Sequence, residues 1–227
     1  MFTVATTAPL TAGLAVRATP LLFVFIWASG FIVAKYAAGY ADSLTFLLRR
    51  SAFVVVLMAL LAWARWPSWR QAGHLAVTGI GLQVVYPGGV WMAVSHGMPA
   101  SVVALIVNLQ PVLTALVGWM AGESMGLRRG NGLILGFLRV TLVVTAKLTT
   151  SGLDLLTVTL AVAALFGITA GTLYQKRFCP EFDLRTGQVM QFTAAIVVML
   201  PVAAATESFH VEWTPQVVGR WPGRCWG

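Results

Sequence analysis

Apolar runs of about twenty residues, separated by short polar or Gly/Pro-bearing links, recur from Pro20 to Ala205. A hydrocarbon core about 30 Å thick imposes that length on a helix rising ~1.5 Å per residue. The pattern predicts seven transmembrane helices, at about Pro20 to Ala38, Leu44 to Ala64, Gly73 to Ser95, Ser101 to Ala121, Gly130 to Ala146, Leu153 to Tyr174 and Gly187 to Ala205. Each break carries Gly, Pro or charge, as helix ends do. Trp66 and Trp69, in the link after the second run, read as interface anchors. Only His96-Gly97-Met98-Pro99-Ala100 separates runs three and four, which makes them an antiparallel hairpin. After Pro201 the chain turns polar, and Val218 to Gly227 has no apolar periodicity.

Composition agrees with lipid as the solvent. Hydrophobic residues make up 58% and charged ones 10%, where a soluble domain has about a quarter charged. The net charge of +8 does not point to nucleic acid, because the basic residues sit singly or in pairs at the ends of apolar runs and form no patch. Their distribution is topological. Arg17, Arg65, Arg70, Arg128, Arg129, Lys176, Arg177 and Arg185 fall on the amino-terminal side, and the opposite links hold little beyond Lys147. The positive-inside rule then places the amino terminus in the cytoplasm, with Lys35, Arg49 and Arg50 counting against it. Residues 1–19 form a cytoplasmic segment without the basic start of a secretory signal. Cys179 and Cys225 lie in no metal-binding or redox spacing, so no disulfide framework is indicated, and no cofactor is expected.

Polar groups inside the spans carry the chemistry, since burying them in lipid is costly. Asn108-Leu109-Gln110-Pro111 lies in the middle of helix four, where Pro111 cannot donate to the carbonyl of Val107. Two readings stand: a broken helix lining a substrate path, or a packing kink whose amides bond to neighbouring helices. Helix three has a second break, Tyr86-Pro87-Gly88-Gly89, followed by Trp91, and two interrupted neighbours point to one cavity between them. The glycines alone also fit close helix contact. Lys35 with Tyr36, and Arg49 with Arg50, would hold an anionic substrate, pair with carboxylates, or snorkel to headgroups. Glu123 reads as a helix-end charge. Arg139, deep in helix five, needs a partner or a cavity, or is a recent lesion. Gly132 with Gly136 and Gly167 with Gly171 are four apart, a spacing that lets backbones approach.

Signatures of catalysis are missing. The three histidines, His74, His96 and His210, form no His-Glu-x-x-His pattern, and the chain has neither a Gly-x-Ser-x-Gly elbow nor a phosphate-binding glycine loop. Ser95 and His96, adjacent on a helix, diverge by about 100° and make no dyad. The chain therefore does not read as an enzyme.

The order of short motifs resembles the EamA-type branch of the drug/metabolite transporter superfamily. Trp27-Ala28-Ser29-Gly30-Phe31 through Lys35 is similar to that family's opening signature, and Phe46 followed by Arg49 to its second-helix pattern. Ala104 through Pro111 to Gly122-Glu123 resembles the fourth-helix stretch, and Gly130 to Lys147 the fifth. The resemblance covers about Pro20 to Ala205 and implies ten helices in two inverted five-helix repeats. It also implies export or exchange of small metabolites, amino acids or drugs by alternating access, with Trp27, Lys35, Tyr86, Trp91, Asn108, Gln110 and Pro111 as pathway candidates. The expected organisation is a first repeat at 20–147, a partial second at 153–206 and an aberrant polar tail at 207–227. In this chain Arg139 replaces a small residue and helices eight to ten are missing, which predicts a truncated or frameshifted copy.

The expected fold class is all-α, a multi-pass protein of a bacterial inner membrane whose partners are the bilayer and a small-molecule substrate. If the copy is truncated, only a homodimer would restore a symmetric pathway. The competing expectation is a non-transporting seven-helix sensor or a partner-dependent subunit.

Overall fold

A computed structural model describes residues 10–37, 42–61, 66–120, 130, 132, 135–138, 142 and 154–209. The described chain is helical. The elements are α1 (Leu10–Ala37), α2 (Ser43–Leu61), α3 (Trp69–Gly79), a π-helical segment (Ile80–Val85), α4 (Tyr86–Ser95), α5 (Ala100–Val107), α6 (Gln110–Met120), α7 (Leu155–Phe178) and α8 (Leu184–Thr206). Among the described residues, five continuous helical stretches are long and apolar enough to cross a membrane: Ser43–Leu61, Trp69–Ser95, Ala100–Met120, Leu155–Phe178 and Leu184–Thr206. These are the second, third, fourth, sixth and seventh expected spans. The first lies in α1, whose apolar stretch is Val24–Lys35. Most of the fifth, with Glu123 and Arg139, lies outside the described residues.

Two of the spans are interrupted where proline removes a donor. Pro87 has no N–H for the carbonyl of Gln83, and the turn before it widens to a π-helix, with the Tyr86 N–H donating to the Gly81 carbonyl. Pro111 has none for Val107. There α5 stops, Asn108 and Leu109 form a turn, and α6 restarts at Gln110.

The core is built where α7 and α8 pack into the hairpin of the first half. The α8 helix lies against α2 and α3, and α7 lies against α4, the π-helical segment and α3. In lipid this association draws on close backbone approach more than on burial of apolar surface. A Cβ on Gly79 would stand 2.5 Å from the Gln191 carbonyl oxygen, and one on Gly89 would stand 2.7 Å from that of Leu160. Gly167 approaches the Tyr86 nitrogen and the Val85 side chain in the same way. The 167/171 pair therefore does bring backbones together. On Gly132 a Cβ would meet nothing within 4 Å, and on Gly136 only an ordinary contact at 3.9 Å from Val112.

Both ends of α2 are held from α8. At its start the Glu207 carboxylate accepts the N–H groups of Leu44 (2.8 Å) and Thr45 (2.7 Å) and the Thr45 hydroxyl (2.8 Å). At its finish Arg185 Nη1 donates to the Leu61 carbonyl at 3.2 Å. An acid at the amino end and a base at the carboxyl end both oppose the helix dipole. Asp42 accepts the Ser208 N–H and hydroxyl at 3.2 and 3.1 Å, closing the same end as Glu207.

Candidate functional site

A cavity of about 450 Å³ lies between α1, α2 and α4. Its walls are residues spaced four apart on each helix, a spacing that keeps them on one face. Trp27 and Phe31 come from α1, Phe46 and Arg50 from α2, and Pro87 and Trp91 from α4, with Tyr86 opening that helix. The Trp27 and Tyr86 rings stack at 5.9 Å with 9° between planes, and the Phe46 and Trp91 rings at 4.5 Å with 21°. Both fall in the range of favourable offset stacking. Trp91 is anchored in the buried core. Gly30 completes the wall on α1, where a Cβ would meet nothing within 4 Å.

Arg50 is the cation of the cavity. Its Nη2 donates to Gln83 Oε1 at 3.4 Å, and its guanidinium lies 5.7 Å from the centre of the Phe192 ring. Gln83 belongs to the π-helical segment. The proline of helix three thus shapes the segment from which the arginine's partner projects.

Of the sequence candidates, Trp27, Tyr86 and Trp91 meet in this cavity. Lys35 is exposed in the last turn of α1. Arg49 is exposed and, one residue from Arg50, points about 100° away around α2. Asn108 is exposed at the break after α5, and Pro111 is exposed in the first turn of α6. Gln110 Nε2 donates to Thr172 Oγ1 at 3.2 Å, tying α6 to α7. The cavity borders helices one, two and three, not the space between helices three and four. Arg50, Phe46 and Phe31 complete it, with Gln83 behind the wall as the partner of Arg50. The signal for Arg50 was present in the sequence: it stands four residues after Phe46 and shares its face.

The remaining polar contacts look structural. His74 Nδ1 and the Tyr174 hydroxyl are 2.8 Å apart, with the His74 and Phe178 rings stacked at 5.0 Å, a cluster joining α3 to α7. His96 turns back past the helix end, so that Ser95 Oγ lies 3.4 Å from its Nδ1, closer than the helical spacing predicted. That nitrogen is also 2.7 Å from the Met92 carbonyl, which only accepts. Nδ1 therefore carries the proton and cannot take one from serine.

A second hollow, of about 810 Å³, opens among Trp66, Gln71, Glu181 and Asp183 at the opposite end from Glu207. The Gln71 amide donates to the Glu181 carbonyl there at 2.8 Å.

Residues 18–145 match a family described as the EamA-like transporter family. A Bacillus subtilis (strain 168) protein named "Uncharacterized transporter YvbV" is 29% identical over 211 residues, covering 86% of this chain and 66% of the relative. The chain thus spans just under two thirds of that relative's length. No solved structure matches it.

Proposed function

The chain belongs to the EamA-like transporter family, and on that premise we propose that it moves small organic metabolites across the membrane by alternating access, with the cavity between α1, α2 and α4 as the substrate site. One observation carries this reading: a ring-lined hollow with, among the described residues, a single cation at membrane depth, where a polar side chain has a functional use or is a burden. Arg50 is the eighth residue of α2, about 10 Å along the helix axis from its start. That depth is about a third of the way into a hydrocarbon core.

The multi-pass fold and the transporter-named relative support a carrier and not an enzyme. The clasp at the Asp42–Glu207 end ties the start of α2 to the end of α8. We place that end outside, with the amino terminus in the cytoplasm of a bacterial cell and the membrane being its inner one. No nucleotide-binding loop occurs in the sequence, so the driving force in this reading is an ion gradient or substrate exchange.

Reconstitution of the full chain in proteoliposomes tests it. Uptake of labelled organic acids, amines and amino acids is measured with and without a proton gradient. Saturable uptake or counterflow of at least one class is expected, and a folded chain that moves none of them contradicts the proposal.

A further inference from the structure

The chemistry of the cavity also indicates what it would hold. Its wall offers the rings of Trp27, Phe31, Phe46, Tyr86 and Trp91 and the one guanidinium of Arg50. The arginine's described hydrogen-bond and ring partners, the Gln83 amide oxygen and the Phe192 ring, are neutral, and its third described neighbour, Tyr86, is an uncharged phenol at neutral pH. The described carboxylates Asp42, Asp154, Glu181, Asp183 and Glu207 all lie in links or at helix ends, and none lines the cavity. Asp42, Asp183 and Glu207 are already engaged in holding helix ends.

Arg50 is exposed on the bundle, so at membrane depth its charge faces the cavity or lipid, a costly place for a cation, and the cost falls when an anion arrives. Guanidinium is matched in shape to a carboxylate, which it binds through two parallel N–H donors. We propose that the cavity binds a small monoanionic organic acid, its carboxylate on Arg50 and a flat apolar or aromatic body between the Trp27–Tyr86 and Phe46–Trp91 ring pairs. The same wall disfavours amines and zwitterions. An ammonium group would find aromatic faces but no described carboxylate, and it would sit beside the arginine. A volume of about 450 Å³ suits a body the size of one ring with a short chain. This inference rests on the cavity being the substrate site.

Calorimetry on the full chain in detergent tests it with four probes of one shape: 3-phenylpropionate, 3-phenylpropionamide, phenylalanine and 2-phenylethylammonium. The anion is expected to bind at least tenfold tighter than each of the others. Arg50→Gln should remove that preference by weakening the anion far more than the amide, with Arg50→Lys in between. Equal binding of the anion and the amide, or a preference that survives in Arg50→Gln, overturns the anion assignment and leaves the site standing. Tighter binding of the amine or the zwitterion also overturns it. If no probe binds a folded chain, the site assignment falls and the anion with it. Should Arg50→Gln fail to fold, the ranking of the four probes by the unaltered chain decides alone.

Discussion

Removing the Glu207 carboxylate should destabilise the bundle by less than its three hydrogen bonds suggest. Those bonds run from Leu44 N, Thr45 N and Thr45 Oγ1, and Thr45 is only 1% exposed. A hydrogen bond to a charged group contributes about 1.5–3 kcal/mol, so the direct loss would be several kcal/mol. The start of α8 shows why it should be smaller. There Asp183, the residue before the helix, accepts the N–H groups of Arg185 and Thr186 at 2.9 and 3.2 Å. Asp42 stands in the same place before α2, and Leu44 and Thr45 correspond to Arg185 and Thr186, but its carboxylate is turned to Ser208. With Glu207 removed, Asp42 can supply the local cap, which is worth ~1 kcal/mol. Glu207→Ala should therefore cost about 3 kcal/mol or more and Asp42→Ala about 0.5–1 kcal/mol. The double variant should exceed their sum by about 1 kcal/mol or more, because no cap remains. Denaturant unfolding in detergent, followed by helical circular dichroism, measures all three. Strictly additive losses, or a Glu207→Ala variant within about 0.5 kcal/mol of the parent, refute the reasoning.

Three further outcomes follow from the packing. Gly79→Ala should cost about 1–3 kcal/mol in the same unfolding assay, because the new methyl group meets the Gln191 backbone at 2.5 Å, whereas Gly88→Ala, with nothing within 4 Å, should be neutral or gain up to about 1 kcal/mol. Gln191 is 1% exposed and its Nε2 has no partner among the described residues, so Gln191→Leu should leave stability unchanged or raise it by about 1–2 kcal/mol; a clear loss would reveal a partner for that amide. Single cysteines at Ser208 and Ser68, in a background lacking Cys179 and Cys225, should label from opposite faces of the membrane, Ser208 from outside. Labelling of both from one face would contradict the bundle's two ends.

Much of the fold could be read from the chain because lipid demands a long apolar run at every crossing. Pro111 marked the break between α5 and α6, since a missing donor is a local fact. Pro87 marked the irregularity of helix three, although the widened turn lies before it, over Ile80–Val85. The choice between Arg49 and Arg50 turns on about 100° of helix rotation, which the pair alone does not settle. Phe46, four residues before Arg50, does settle it once its ring is seen against Trp91. Glu207 was illegible for another reason. It caps a helix more than 160 residues away in the chain, so no local pattern records it. In the sequence it reads only as the start of a polar tail.

The central claim, that the ring-lined cavity is the substrate site, is tested most directly by filling it. Gly30 lies on its wall with open space at its Cβ position, so Gly30→Trp should occupy the cavity and leave the fold intact. Counterflow of labelled 3-phenylpropionate in proteoliposomes should be robust for the parent chain and fall at least tenfold for Gly30→Trp at an unchanged unfolding midpoint. Equal counterflow by the two proteins would contradict the account.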